Sequence, residues 1–335
     1  MVKKTILSIM RDQMVKAPPV IQGNLAGKTV VVVGANGGIG YEAARHFALM
    51  NPDRLVLACR SRERGEAALR KLQSEIGTIT AELRLVDLNP FSSVSAFADS
   101  FELEVGRLDI LVMNAAAWPG KEYHATADGW ESSLQINNLG PSLLSLRLLP
   151  LMVDTSSEPR LVVVTSDVHY FAKVEGKITA QPEIWKNLSS KEYCTPDNMS
   201  DSRYLLTKLL NVFFVRSLAD RLPTSSPVVS AIHPGVCISD LRREFTGIRK
   251  CMEPVLEKLI MYTAEEGSRQ LVYGALGQDK NLHGGYTTLS SVVETSDYVL
   301  SEEGRRVADR MWEELIDILS RVDGKIPAAV KDYLH

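Results

Sequence analysis

One stretch constrains the fold of this 335-residue chain more than any other. Lys28-Thr29-Val30-Val31-Val32-Val33-Gly34 runs directly into Ala35-Asn36-Gly37-Gly38-Ile39-Gly40, and a helical pattern follows over 42–50. Four consecutive valines leave no polar face, so a strand made of them has to be covered on both sides. That environment exists inside a parallel sheet flanked by helices, where a short turn leads from each strand into the next crossover helix.

The rest of the chain keeps the same alternation. Strand patterns occupy 55–60, 81–88, 107–116, 159–166, 227–235 and 284–290, and helical patterns occupy 62–76, 92–105, 130–152, 201–222 and 302–322. The expected fold is α/β, a Rossmann-type doubly wound parallel sheet with helices on both faces, forming a single domain over 27–322. Residues 1–26 are expected to form an N-terminal arm and 323–335 a C-terminal tail. Two segments break the rhythm, 167–200 and 239–262. Both follow carboxyl ends of strands, where open α/β sheets bind their ligands.

Composition narrows the function classes. Hydrophobic residues make up 45% of the chain and net charge is −3, so a sizeable core is available and no global field favours nucleic acid. Cys59, Cys194, Cys237 and Cys251 form no CxxC pair and no cluster with histidine, which points to reduced thiols and no metal site. At the N-terminus Arg11 and Asp12 interrupt the apolar residues early, so no signal peptide is expected, and no apolar run spans a bilayer. The expected location is cytoplasmic. Ile6, Leu7, Ile9, Met10 and Met14 mark an apolar helix face that either packs on the body or attaches weakly and peripherally to a membrane.

The segment Gly34 to Gly40 has the composition of a phosphate cradle. Glycines let the chain turn tightly and let a pyrophosphate approach, while the helix N-terminus supplies N–H donors. The spacing reads equally as GxxxGxG through Gly34, Gly38 and Gly40 or as GxxGxxG through Gly34, Gly37 and Gly40. Asn36 and Ile39 belong to the same loop. The second strand ends Ala58-Cys59-Arg60, with Arg62 and Arg64 beyond it and no acid. An acid there binds ribose hydroxyls, whereas an arginine accommodates a 2′-phosphate, so the pattern favours NADP(H). Asp87, followed by Leu88, suits either an adenine amino group or a helix cap.

Five further segments, in order, give the chain its resemblance to the short-chain dehydrogenase/reductase family in its classical form. The glycine loop is similar to the family's TGxxxGxG with Val33 in place of Thr, and Asn114-Ala115-Ala116 is similar to its NNAG. Asn137 in Asn137-Asn138-Leu139-Gly140, Ser166 at the end of a strand, Tyr204-Leu205-Leu206-Thr207-Lys208 and His233-Pro234-Gly235 complete the set. The resemblance implies Asn137, Ser166, Tyr204 and Lys208 as catalytic residues. It implies cofactor contacts from Gly34, Asn36, Gly38, Ile39, Gly40, Arg60, Asp87, Leu88, Asn114, Ala115, Tyr204, Lys208, Pro234, Gly235 and Ser239. Ser239 stands where a threonine usually holds the nicotinamide amide. Segments such as residues 58–68, Asn137 to Gly140 and 265–276 resemble retinol-dehydrogenase-like members, especially fungal ones. Many of those act on lipophilic alcohols and ketones, so the resemblance implies such a substrate, a terpenoid, polyketide or steroid or retinoid-like compound of secondary metabolism.

The chemistry asks for the same residue types. A hydride delivered to a carbonyl leaves an alkoxide that needs a proton, and tyrosine, with an ordinary pKa of about 10, supplies it once a neighbouring ammonium favours the phenolate. Tyr204 and Lys208 are four apart and share a helix face. Ser166 is placed to hydrogen-bond the carbonyl oxygen. Asn137 is expected to open a local kink and hold a water for proton relay to Lys208. Trp118, Tyr170, Phe171 and Val236 leave strand ends at the crevice and are expected to line a pocket for a small lipophilic substrate, under a mobile lid over 239–262. Hydrolase and zinc chemistry lack their motifs, having no GxSxG and no HExxH. The competing reading is a non-catalytic dinucleotide-binding sensor or scaffold. No nucleic-acid partner is expected, and a homodimer or homotetramer is the assembly to test for.

Overall fold

The structure is a computed structural model and describes residues 4–77, 79–223, 226–238 and 261–335. The run of valines forms β1 (Thr29–Val33), buried along its whole length. It is joined by β2 (Arg54–Cys59), β3 (Ala81–Leu85), β4 (Ile110–Met113), β5 (Arg160–Val164), β6 (Val228–Ile232), β7 (Tyr286–Thr288) and β8 (Ser291–Val293). Among the described residues these form one sheet in the order β3-β2-β1-β4-β5-β6-β7-β8. Every pairing is parallel except β7 with β8. The strand order reverses between β1 and β4, and a crevice opens at such a switch point.

The helices are α1 (Ile6–Gln13), α2 (Gly38–Ala48), α3 (Arg62–Ile76), α4 (Phe91–Glu104), α5 (Gly140–Thr155), α6 (Asp201–Arg221), α7 (Ala264–Leu276), α8 (Glu302–Val322) and α9 (Ile326–Tyr333), with shorter turns between them. Alternate valines of β1 serve opposite layers. Val31 and Val33 pack with Phe97 of α4, Leu143 of α5 and Leu209 of α6, whereas Val30 and Val32 pack with Phe47 of α2, Leu72 of α3 and Leu271 of α7. Each such aliphatic or aromatic side chain contributes about 1.5–3 kcal/mol relative to exposure, which is why the strand tolerates no polar residue.

Three elements differ from the sequence expectation. Strand β8 follows β7 through Leu289 and Ser290, both at positive φ (51° and 55°). A two-residue hairpin of that geometry ordinarily carries Asn-Gly, so Leu-Ser gave no turn signal. The expected tail contains α9, whose Ile326 and Ala329 are buried. The buried guanidinium of Arg147 on α5 anchors the start of this segment through Asp323 at 2.6 Å and also binds Asp99 at 2.8 Å. The N-terminal helix turns Leu7 and Met14 outward, each 77% exposed, and is held instead through polar side chains. No helix among the described residues is long and apolar enough to cross a membrane.

Candidate active site

The loop after β1 resolves the ambiguous glycine spacing. Gly34 and Gly38 have φ of 84° and 54°, while Gly37 is extended and imposes no such demand. A Cβ on Gly40 would lie 2.3 Å from the Gly34 carbonyl oxygen and 2.5 Å from Nδ2 of Asn114. The geometry therefore requires Gly34, Gly38 and Gly40. Asn114, at the end of β4, donates from Nδ2 to the Gly34 carbonyl at 3.2 Å, tying the loop to the neighbouring strand. Helix α2 begins at Gly38, so its free N–H groups open into the crevice.

This crevice is a cleft of about 770 Å³ across the switch point, within the ordinary range for a ligand site. Gly34, Asn36, Gly38, Ile39, Arg60, Asp87, Leu88, Asn114, Ala115, Ser166, Tyr204, Lys208, Pro234, Gly235 and Val236 all line it, as does Trp118. Gly40 lies behind the loop, packed on Gly34. Arg60 and Arg64 line one end, exposed, and neither guanidinium pairs with a carboxylate among the described residues. Arg62 points elsewhere and faces Glu66 at 3.8 Å. Asp87 caps no helix; its Oδ1 accepts from the Asn89 backbone and its own N–H donates to Ser93.

At the other end, Tyr204 and Lys208 sit one turn apart on α6. The Lys208 Nζ is 5.5 Å from the Tyr204 ring centre, and Trp118 stacks on that ring at 4.4 Å. Lys208 is buried and donates to the Val164 carbonyl at 3.1 Å. Burial without a carboxylate partner pushes its ammonium down to about 8. Ser166 lies two residues beyond β5 and caps a short 3-10 turn, Asp167–Phe171, by accepting from the Val168 N–H at 3.4 Å. It makes no side-chain contact with a histidine: His169 reaches only the Ser166 carbonyl, and burial pushes its imidazole down to about 4. That arrangement does not build a hydrolase base.

Asn137 lies within a π-helical turn, Gln135–Leu139, at the head of α5. Its carboxamide accepts from the Ala117 N–H at 2.7 Å and donates to the Ala117 carbonyl at 2.9 Å and to Thr207 at 3.3 Å. Through these bonds Asn137 braces the cleft wall rather than lining it, and the π turn is the local break in the helix that was expected at this residue. Two pocket expectations are corrected. Tyr170 donates to the Glu294 carbonyl and packs edge-on against Tyr286, and Phe171 is 44% exposed; neither lines the cleft. The 3-10 turn after Ser166 carries Tyr170 to Tyr286 of β7 and leaves Phe171 at the surface. Ser239, and the proposed lid as far as residue 260, lie outside the described residues.

The structure adds residues that the sequence did not single out. Asp201 lines the cleft one turn before Tyr204. Asn138 bonds both the Thr207 carbonyl at 2.8 Å and Asn211 at 2.7 Å, cross-linking the π turn to α6. Two adjacent asparagines at the head of a leucine-rich helix were the available signal for Asn138.

Comparison with known proteins identifies the family and the fold. Residues 28–176 match the short chain dehydrogenase family. The short chain dehydrogenase/reductase dmxR8 of Cryptosporiopsis sp. is 32% identical over 94% of this chain and 98% of its own length. The human dehydrogenase/reductase SDR family member 13 is 35% identical over 90% of this chain and 75% of its own. Among solved structures, a short-chain type dehydrogenase/reductase from Mycobacterium marinum superposes with a TM-score of 0.61 at 19% identity, covering 78% of this chain and 94% of that one, which speaks to the fold. The chain belongs to the short-chain dehydrogenase/reductase family, oxidoreductases that work with a nicotinamide cofactor.

Proposed function

We propose that this protein is an NADP(H)-dependent alcohol dehydrogenase or ketoreductase acting on an uncharged, lipophilic secondary alcohol or ketone, with Tyr204 as general acid/base. The observation that carries the reading is the buried Lys208 ammonium one helical turn from Tyr204, in a cleft that Arg60 and Arg64 also line. The cradle fits a dinucleotide on structural grounds: Gly34 and Gly38 take positive φ in the turn, the absence of a side chain at Gly40 lets the loop close on itself and on Asn114, and α2 opens there with its N–H groups. Gly34, Gly38 and the head of α2 are the groups to hold a pyrophosphate, and Arg60 is the group to meet a 2′-phosphate.

When bound, the nicotinamide supplies or takes up the hydride. The Ser166 hydroxyl donates to the substrate oxygen and stabilises charge as it develops there. The Tyr204 hydroxyl gives its proton to that oxygen in reduction and, as phenolate, removes it in oxidation. The Lys208 ammonium favours the phenolate through the low-dielectric interior and holds its own position on the Val164 carbonyl. Trp118 lies against the Tyr204 ring and fixes its plane. Val168, Leu205 and Val236 line this end with Trp118 and give it an apolar wall, which suits an uncharged substrate.

Purified protein with NADPH or NADH and a panel of ketones tests the reading. NADPH oxidation by neutral, bulky ketones is the expected result, with small keto acids poor. Tyr204→Phe is expected to lower kcat by about 10²–10⁴ with NADPH affinity retained. Binding of NADPH with no turnover on any carbonyl favours the sensor reading, and a Tyr204→Phe variant that keeps most of its turnover removes Tyr204 from its role.

A further inference from the structure

The turn Pro234–Gly235–Val236 forms one wall of the cleft, next to Lys208. Gly235 there has φ of 87°, and a Cβ on it would lie 2.4 Å from the Tyr262 ring, so the turn is closely backed and has little room to shift. Behind it stands a residue from the opposite end of the chain. Gln13, the last residue of α1, is 6% exposed. Its Oε1 accepts from the Val236 N–H at 2.9 Å, and its Nε2 donates to the Val236 carbonyl at 3.0 Å. One carboxamide therefore pairs with both polar groups of one residue in the cleft wall; the Val236 carbonyl also accepts from the Tyr262 N–H at 3.0 Å, whereas its N–H has Gln13 as its partner.

The rest of the arm makes the same kind of attachment. The Tyr262 hydroxyl donates to the Val15 carbonyl. The Lys4 ammonium bridges Asp12 at 3.0 Å and the buried Asp167 at 2.9 Å, and Asp167 is the residue after Ser166. Burial pushes the Asp167 carboxyl up, but His233, Lys4 and the Tyr286 hydroxyl outweigh it and hold the group below the usual carboxylate range. The arm buries Ala17 against Cys237 and Tyr262, while the larger Leu7 and Met14 of its helix face solvent. Its anchored groups converge on the two backbone segments that flank the chemistry, the turn after β6 and the residue after Ser166.

We propose that Gln13 is a positioning residue for the nicotinamide end of the cleft, holding the Val236 peptide groups so that the Pro234–Val236 wall is set before the cofactor arrives. This rests on the nicotinamide-dependent reading given above. The pairing is with backbone, so it fixes the wall's geometry whatever side chain stands at 236. It acts on the half of the cofactor nearest Lys208 and leaves the adenosine half, on the other side of the glycine loop, untouched.

The test compares two ligands on the same folded protein: NADPH, followed by nicotinamide fluorescence, and 2′-phospho-ADP-ribose, which lacks the nicotinamide, followed by calorimetry. Gln13→Leu removes both hydrogen bonds and is expected to weaken NADPH about tenfold while 2′-phospho-ADP-ribose binds within about twofold of the native chain. Gln13→Glu keeps the shape. Its carboxylate accepts from the Val236 N–H but repels the Val236 carbonyl, whereas the protonated acid donates to that carbonyl and restores both bonds. The ratio of variant to native Kd for NADPH is thus expected to fall toward one as pH drops from 8 to 5. Asp12, Asp167, His233 and Tyr262 line the same small space, and Lys4 bridges the two acids; Gln13→Leu, which adds no charge, is carried through the same pH series as the control for their titration. Equal weakening of the two ligands, no weakening of either, or a pH-independent ratio overturns the inference and leaves the function standing. Failure of the native chain to bind NADPH overturns the function and this inference together.

Discussion

The two ends of the cleft carry positive charge in opposite ways. Arg60 and Arg64 stand exposed at one end, unpaired by any carboxylate among the described residues. Lys208 is buried at the other, its ammonium bonded to a single backbone carbonyl. A guanidinium in water is inexpensive to keep and gains its partner only when a phosphate binds. A desolvated ammonium destabilises the fold continuously, and what it offers in exchange is a field that acts on a neighbouring hydroxyl. The first arrangement suits recognition and the second suits proton chemistry.

The largest expected effect breaks the buried end. Lys208→Met removes the charge at similar length, and the Val164 carbonyl keeps its bond from Asn211 at 3.3 Å. Turnover is expected to fall at least about a hundredfold, as for a lost acid/base function. Stability is expected to move the other way. The folded pKa of Lys208, about 8, lies below its ordinary 10.5. Between those values the unfolded state binds more protons, so the native chain gains stability as pH rises through that window. Below pH 8 the penalty is fully present, on the order of 3 kcal/mol. Lys208→Met is therefore expected to melt a few degrees above the native chain at pH 7 and to lose that advantage near pH 10.5. A variant less stable than the native chain at pH 7 contradicts the account.

The same contrast explains what was legible in the sequence. Positions where the backbone makes a demand declare themselves by residue type: Gly34 and Gly38 through positive φ, Gly40 through a carbonyl 2.3 Å from where its Cβ would be. The valines of β1 declare burial on two faces, and Tyr204 with Lys208 declares a shared helix face. Contacts that depend on where distant segments meet declare nothing. Gln13 and Val236 are 223 residues apart, and a glutamine in a short helix has no pattern that announces a backbone partner. The path of a loop is equally silent, since Trp118 and Tyr170 both follow strand ends by a few residues and only a 3-10 turn separates their fates. Strand β8 was hidden because Leu289 and Ser290 occupy conformations that glycine or asparagine usually marks.

A smaller effect is expected at the exposed end. Arg60→Ala removes a charge-assisted contact worth roughly 1.5–3 kcal/mol, which is about ten- to a hundredfold in NADPH affinity. NADH, lacking the 2′-phosphate, is expected to bind almost unchanged, and kcat with saturating NADPH to hold. Raising the salt concentration is expected to shrink the NADPH preference of the native protein, because the guanidinium is exposed to screening ions. Lys208 is buried, so kcat at saturating cofactor is expected to respond far less to salt. Loss of affinity for both cofactors alike makes Arg60 a structural residue and removes the contrast between the two ends.

The smallest effect sharpens the boundary of the buried end. Trp118 lines the cleft and stacks on Tyr204 at 4.4 Å, whereas Tyr170 is turned to the Glu294 carbonyl at the sheet edge. Trp118→Ala opens the wall beside the reacting hydroxyl. It is expected to raise KM for bulky ketones several-fold and to narrow their advantage over small ones, because apolar contact area is lost from one substrate class more than the other. Tyr170→Phe deletes a hydrogen bond outside the cleft and is expected to lower stability by about 1 kcal/mol with the substrate ranking unchanged. Competition between a large and a small ketone in one reaction reads the ranking without reference to enzyme concentration. If Tyr170→Phe reorders the pair and Trp118→Ala does not, substrate binds on the β7 side of Ser166 and the cleft end nearest Tyr204 is not the pocket.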